Sequence, residues 1–245
     1  LLQTNRQQQP GYGLDDYSQQ AKALIRERIG NPQAEIFFVS GGTQANLLVL
    51  GHVLRPHESI IACQSAHIAD HETGAIEAVG HKIHLAPSDN GKLTPEQIRD
   101  YASRYTNVPH EVQPRLVYIT QTTEIGTLYS LAELKAIWQC CQELGLLLYM
   151  DGARLAQGLS AEGNDIGWED LARYTDSFYI GATKNGALLG EAIVFNQAAL
   201  ADYFSFYIKQ KGALLAKGRL LGLQFLTLFQ NNLYEELGRV ANTQM

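Results

Sequence analysis

Two strand-like runs in this chain end in residues that can do chemistry. Leu146-Leu147-Leu148-Tyr149-Met150 is a continuous apolar run that stops at Asp151-Gly152-Ala153-Arg154. Asp176-Ser177-Phe178-Tyr179-Ile180 is a second run, followed by Gly181-Ala182-Thr183 and then Lys184 among small residues. In an open α/β sheet, ligands sit at the carboxyl ends of strands. Taken singly, an Asp-Gly pair is an ordinary turn and a lysine near glycines an ordinary solvated charge. Together, an acid at one strand end and a lysine beyond the next suit pyridoxal phosphate, which needs a Schiff-base lysine and an acidic partner for its pyridine nitrogen.

A third feature lies near the start of the chain. Glu35-Ile36-Phe37-Phe38-Val39 reads as a strand, Ser40-Gly41-Gly42-Thr43 as a tight turn, and Gln44 to Leu54 as a helix. Backbone N–H groups and the helix dipole at such a junction form an anion site suited to phosphate. The plainer reading is that the glycines serve the turn and Thr43 caps the helix. His67 and His71 stand four apart with Glu72 adjacent. They lack the internal Glu of the H-E-x-x-H pattern, so no metal site is expected.

The elements that must carry these residues alternate. Helices are expected at Gln19 to Ile29, from Thr94-Pro95 onward, from Ser130 to Leu144 with Gly145 as stop, and at Ala198 to Tyr207. Further strands are expected at Ser59–Cys63, Lys82–Leu85, Arg115–Thr120 and Gly190–Phe195. A longer helical stretch runs from Gly212 to about Leu233. Strands alternating with helices predict an α/β fold, a three-layer, mostly parallel sheet with helices on both faces. Residues 1–211 are expected to form a large α/β domain with an incomplete N-terminal arm. Residues 212–245 are expected to lead into a small C-terminal domain not present in this chain.

The 245 residues are 45% hydrophobic and 18% charged, with a formal net charge of -6. That balance gives no basic footprint for nucleic acid and none for an anionic membrane surface. No apolar run approaches a membrane-spanning length. The polar start, without Met, does not read as a signal peptide, and the chain is expected to be a piece of a longer one. Three cysteines, two adjacent at Cys140 and Cys141, make neither a disulfide framework nor a zinc site. A reduced, cytoplasmic setting is expected. Gly41-Gly42 lacks the glycine spacing of a dinucleotide site.

Four segments, in order, resemble the threonine aldolase family, the β-eliminating-lyase branch of the fold type I pyridoxal-phosphate enzymes. They are Gly11-Tyr12-Gly13 with Asp15-Asp16; Ser40-Gly41-Gly42-Thr43-Gln44-Ala45-Asn46; His67-Ile68 with Glu72 and Gly74; and Asp151-Gly152-Ala153-Arg154 with Lys184. The resemblance implies a Schiff base at Lys184, with Thr183 beside it, and a pyridine partner in Asp151. It implies a phosphate held by Gly42 and Thr43 with Asn46 nearby, and a ring face covered by His67, also a candidate base. Arg154 would bind cofactor or substrate carboxylate, and Glu72 and Tyr12 would bind substrate. The implied reaction is retro-aldol cleavage of a β-hydroxy-α-amino acid to glycine and an aldehyde, in a homodimer or homotetramer with its site at the dimer interface.

Two departures mark a divergent subgroup. Thr183 stands where the family has Ser, and Lys211-Gly212-Ala213-Leu214-Leu215-Ala216-Lys217-Gly218-Arg219 stands near the place of a glycine-rich Met-Arg-Gln segment. β-Elimination and transamination use the same Asp–Lys pair and stay open. A non-catalytic binding protein of this fold would have little use for both Asp151 and Lys184.

Overall fold

The apolar runs pair into one seven-stranded sheet in the computed structural model, which describes residues 1–244. The strands are β1 (Glu35–Val39), β2 (Glu58–Cys63), β3 (Ile83–Ala86), β4 (Gln113–Thr120), β5 (Leu147–Asp151), β6 (Ser177–Gly181) and β7 (Glu191–Phe195). Their order is β1-β7-β6-β5-β4-β2-β3. The pairs β6–β5, β5–β4, β4–β2 and β2–β3 are parallel, and β7 runs antiparallel to both β1 and β6.

The expected three layers are present. The helices are α1 (Asp16–Arg28), α2 (Gly42–Val53), α3 (His67–Asp70), α4 (Ala75–Ala78), α5 (Pro95–Ser103), α6 (Leu131–Leu144), α7 (Leu155–Leu159), α8 (Trp168–Arg173), α9 (Phe204–Gln210), α10 (Arg219–Phe229) and α11 (Leu233–Thr243). Side chains alternate across a strand, so each strand feeds two cores. Val117, Ile119, Leu148, Met150, Phe178 and Ile180 pack with Ile25 of α1, Ile137 of α6 and Phe225 of α10. Leu116, Tyr118, Tyr149 and Tyr179 face the opposite core with Leu48 of α2 and Phe204 of α9.

Several boundaries differ from the sequence expectation. Helix α1 starts earlier, because Asp15 is its cap and accepts from Ser18 N–H at 2.8 Å. Helix α2 starts at Gly42, which makes Thr43 part of its first turn rather than its cap. The helix expected over Ala198–Tyr207 is broken at Tyr203, whose φ is 63°. The stretch expected from Gly212 becomes α10 and α11, separated where Asn231 and Asn232 take φ values of 58° and 59°. The helices expected to start at Thr94 and Ser130 do so, and each start forms a capping box, with Gln97 and Glu133.

Topology decides where the chemistry goes. Thr120 pairs with Asp151 at the ends of β4 and β5. Gly181, the end of β6, pairs with Glu191, the start of antiparallel β7, and Glu191 also pairs with Val39 at the end of β1. One edge of the sheet therefore carries Ser40-Gly41-Gly42, Glu191, Thr183-Lys184, Asp151 and the turn after Thr120.

Candidate active site

Residues from five strand ends surround a cavity of about 250 Å³. Its wall includes Gly42, Thr43, His67, Asp151, Arg154 and Lys184. Thr183 and Glu72 also reach it. The sequence placed these residues on separate segments, and the parallel sheet brings them to one edge, as expected of strand carboxyl ends.

Asp151 ends β5 and is buried, with three donors on its carboxylate. Ala153 N–H donates to Oδ1 at 2.9 Å, and Tyr118 Oη–H and Asn46 Nδ2–H donate to Oδ2 at 2.6 and 3.0 Å. Burial pushes the hydroxyls of Tyr118, Tyr149 and Tyr179 well above the usual tyrosine range. They stay neutral, so Tyr118 acts as a donor to Asp151.

Asn46 bridges two carboxylates. Its amide donates to Glu72 Oε1 at 2.8 Å as well as to Asp151, and its Oδ1 accepts from Tyr149 at 3.1 Å. The residue is fully buried and does not line the cavity. Asn46, expected beside a phosphate, has its side chain in the Asp151 and Glu72 network rather than on the cavity wall. Glu72 in turn accepts from His67 Nδ1 at 3.0 Å. That bond holds the imidazole above the ordinary histidine range. Glu72 Oε2 is buried without a partner among the described residues.

In the turn after β1, Ser40 N–H and Oγ–H both donate to Gln44 Oε1, at 3.0 and 2.9 Å. Gly41 is the N-cap of α2 and has no side chain to spend on the helix N–H groups, whose first partner is Ala45 N–H to Gly41 O at 3.0 Å. A Cβ built on Gly42 would stand 2.9 Å from Tyr179 Oη, so Gly is needed for this close approach.

The spacing of acid and lysine is set by backbone. Gly181 N–H donates to Gly152 O at 2.9 Å, tying the end of β6 to the turn after β5. A Cβ on Gly181 would meet Ala153 O at 2.6 Å, and one on Gly152 would run into Tyr179 O. Thr183 Oγ1 accepts from Gly190 N–H at 3.2 Å, and Glu191 Oε2 accepts from Ala182 N–H at 2.9 Å. The loop that bears Lys184 is thus held from both sides. Burial lifts the Glu191 carboxyl to about 7.

Tyr12 is not brought to this cavity. Its N–H is tied to Ala216 O at 3.3 Å, and its ring lies 4.5 Å from Lys209 Nζ, beside exposed Phe206 and half-buried Leu214. Conversely, Glu124, in the turn after β4, carries no role in the sequence reading. It lines the cavity, accepts from His67 N–H and Thr120 Oγ1, both at 3.0 Å, and carries a raised pKa because it is desolvated. Its signal was the same one that marked Asp151, an acid just past an apolar strand. Tyr118 and Tyr149 were hidden inside strand runs, where a tyrosine reads as core.

Chemically, the donor set fits a phosphate-bearing aromatic cofactor that joins a lysine. A helix N-terminus would suit the phosphate, a multiply hydrogen-bonded carboxylate a ring N–H, and a lysine a carbonyl carbon. Among the described residues no group of three or more His, Cys, Asp or Glu side chains is arranged to hold a metal ion.

Residues 5–238 match the family described as beta-eliminating lyase. A low specificity L-threonine aldolase of Pseudomonas aeruginosa is 36% identical over 247 residues, covering 99% of this chain and 70% of that protein. A solved structure of Leishmania major threonine aldolase superimposes with a TM-score of 0.97 at 48% identity, covering 99% of this chain and 70% of that one. Thermus thermophilus aspartate aminotransferase shares the fold, with a TM-score of 0.74 at 16% identity over 99% of this chain and 63% of that one.

Proposed function

Because the chain belongs to the beta-eliminating lyase family, we propose that it is the catalytic part of a pyridoxal-phosphate-dependent aldolase. Its substrate would be a β-hydroxy-α-amino acid of the threonine or allo-threonine type, cleaved to glycine and an aldehyde. One observation carries the reading: Lys184, Asp151 and the Gly41-Gly42 turn face a single cavity at the carboxyl edge of the sheet. The names of the P. aeruginosa and L. major relatives point the same way.

Lys184 would hold the cofactor covalently, Asp151 would hold its ring nitrogen, and the N-terminus of α2 with Thr43 would hold its phosphate. When bound, the cofactor supplies a sink for the electron pair left on the substrate α-carbon. Neutral Tyr118 and the Asn46 amide keep the Asp151 carboxylate aimed. Glu72 fixes the His67 imidazole by its Nδ1, and the ring would then cover the cofactor. Arg154 presents a planar fork that suits the substrate carboxylate. The Thr183 and Glu191 bonds hold Lys184 in register.

The reading includes assembly of like chains. Tyr12, a substrate residue by resemblance, lies away from the cavity of its own chain beside the exposed Phe206, where it would serve the site of another copy in a homodimer or homotetramer. A cytoplasmic setting fits three free, buried cysteines. No helix among the described residues is long and apolar enough to cross a membrane.

The test uses the full-length gene product with pyridoxal phosphate, L-threonine or L-allo-threonine, and an assay for acetaldehyde and glycine. Cleavage that disappears in Lys184→Ala is the expected result. Cleavage that persists in that variant refutes the assignment, and pyruvate with ammonia in place of acetaldehyde replaces it by β-elimination.

A further inference from the structure

The 250 Å³ cavity opens into a second chamber of about 740 Å³. Four residues line both: Thr122, Glu124, Arg154 and Lys184. They form a neck. His67 and Asp151 belong only to the inner cavity, while Ile125, Leu128 and Ala161 belong only to the outer chamber. Glu124 is the one acid of the neck.

A β-hydroxy-α-amino acid places its amine and its carboxylate on the same carbon, with the hydroxyl one bond further out. On the reading above, the amine is received at Lys184 and the carboxylate at Arg154, both neck residues. The α-carbon then lies in the neck, the β-hydroxyl lies within it too, and the β-substituent points to the outer chamber. We propose that Glu124 is the catalytic base that takes the proton from the substrate β-hydroxyl, and that Ile125 and Leu128 beside it receive the β-substituent. This rests on the aldolase reading.

The carboxylate is held for such a task. Oε1 accepts from the backbone N–H of His67 and Oε2 from Thr120 Oγ1, each at 3.0 Å. Each oxygen is fixed by one neutral donor and keeps a lone pair for a substrate hydroxyl. No cation is recorded in an ion pair with it among the described residues. Desolvation, aided by the Asp151 charge, raises its pKa, which makes it a stronger base near neutral pH. His67 has its Nδ1 committed to Glu72. The other charged or titratable groups of the inner cavity are Glu72, Asp151, Arg154, Lys184, Glu191 and Tyr179.

The step balances. The β-O–H proton moves to Glu124, and the O–H electron pair becomes the second bond of the aldehyde carbonyl. The Cα–Cβ bond breaks, its pair stays on the α-carbon, and a proton added there completes glycine.

The test compares wild type, Glu124→Gln and Glu124→Asp as full-length holoenzymes. Gln keeps the shape and an acceptor for His67 N–H but cannot take a proton. Cleavage of L-threonine is expected to fall about 100-fold or more in kcat/KM in Glu124→Gln. The acidic limb of the wild-type pH profile, where Glu124 becomes protonated, should vanish with it. Glu124→Asp should recover part of the rate and keep the limb. Cofactor affinity by absorbance titration should be unchanged. Exchange of the glycine α-proton in D₂O, which involves no hydroxyl, should fall far less than cleavage. A Gln variant within a few fold of wild type, or one retaining the acidic limb, overturns the proposal. So does glycine exchange that falls in step with cleavage, which marks a positioning role only. Wild type that cleaves no β-hydroxy-amino acid refutes the aldolase reading itself and takes this inference with it.

Discussion

Replacing Asn46 by Leu separates the network from the cavity it supports. Leu is close in volume, so the change removes polar groups without opening a large hole. The Asn46 amide donates to Glu72 Oε1 at 2.8 Å and to Asp151 Oδ2 at 3.0 Å. Hydrogen bonds to charged groups are worth about 1.5–3 kcal/mol each, giving about 3–6 kcal/mol gross. The lower end applies, because Asp151 keeps Tyr118 and Ala153 as donors and Glu72 keeps His67. The Tyr149 hydroxyl loses its acceptor, for about 1 kcal/mol more. A destabilisation of about 3–4 kcal/mol is expected. Urea unfolding followed by circular dichroism measures it, as a fall in midpoint of about 1–2 M for a slope of 2–3 kcal/mol/M. NMR titration supplies a second readout. Glu72, deprived of one donor, should lean more on His67, whose pKa is already raised chiefly by that bond. A raised histidine pKa contributes stability that is complete below the ordinary histidine range and is lost as pH rises through the folded value. In the Leu variant that loss should move to higher pH. A destabilisation under about 1 kcal/mol, with the His67 titration unmoved, would refute the idea that Asn46 frames the site.

Two further outcomes concern His84 and Gly42. His84 is 3% exposed and its pKa is pushed down to about 4, first by burial and then by Lys82. Its folded value lies below the unfolded one, so the stability it contributes is present above about pH 6.5 and lost as pH falls toward 4, at most about 3 kcal/mol. His84→Leu should therefore lose about 2 kcal/mol less than wild type between pH 7 and 4.5 in urea titrations, and an identical loss would show that His84 is not the acid-sensitive group. Gly42→Ala, whose Cβ would stand 2.9 Å from Tyr179 Oη, should weaken pyridoxal-phosphate affinity at least about tenfold by absorbance titration. Unchanged affinity would remove the turn from the phosphate site.

What could be read without coordinates followed a physical rule. Buried parallel strands are nearly continuous apolar runs, so Leu146–Met150 and Asp176–Ile180 stood out, and the polar residues at their ends came with them. Capping boxes are local, so Ser130 and Thr94 marked their helices. The break at Asn231 and Asn232 had neither Gly nor Pro to announce it. The Asn46 network was illegible for another reason. Its partners Glu72 and Asp151 lie 26 and 105 residues away, and only the sheet order makes them neighbours. Glu124 showed the same strand-end signal as Asp151, but an acid in a turn has too many ordinary explanations to single out. Tyr12 was assigned by resemblance alone, and a single chain gives it other neighbours.

The glycine-laced crossing of the β5 and β6 ends bears on how such a site could be redesigned. Gly152 and Gly181 leave no room for even a methyl group, so the gap between Asp151 and Lys184 is dictated by main-chain contact. A directed-evolution library aimed at new substrates gains nothing by randomising these two positions. Diversity belongs in the Ile125–Leu128 segment beside Glu124, which can vary while the acid and the amine keep their separation. Inherited change is expected to follow the same division, with a rigid strap retained and a variable rim exploring specificity around it.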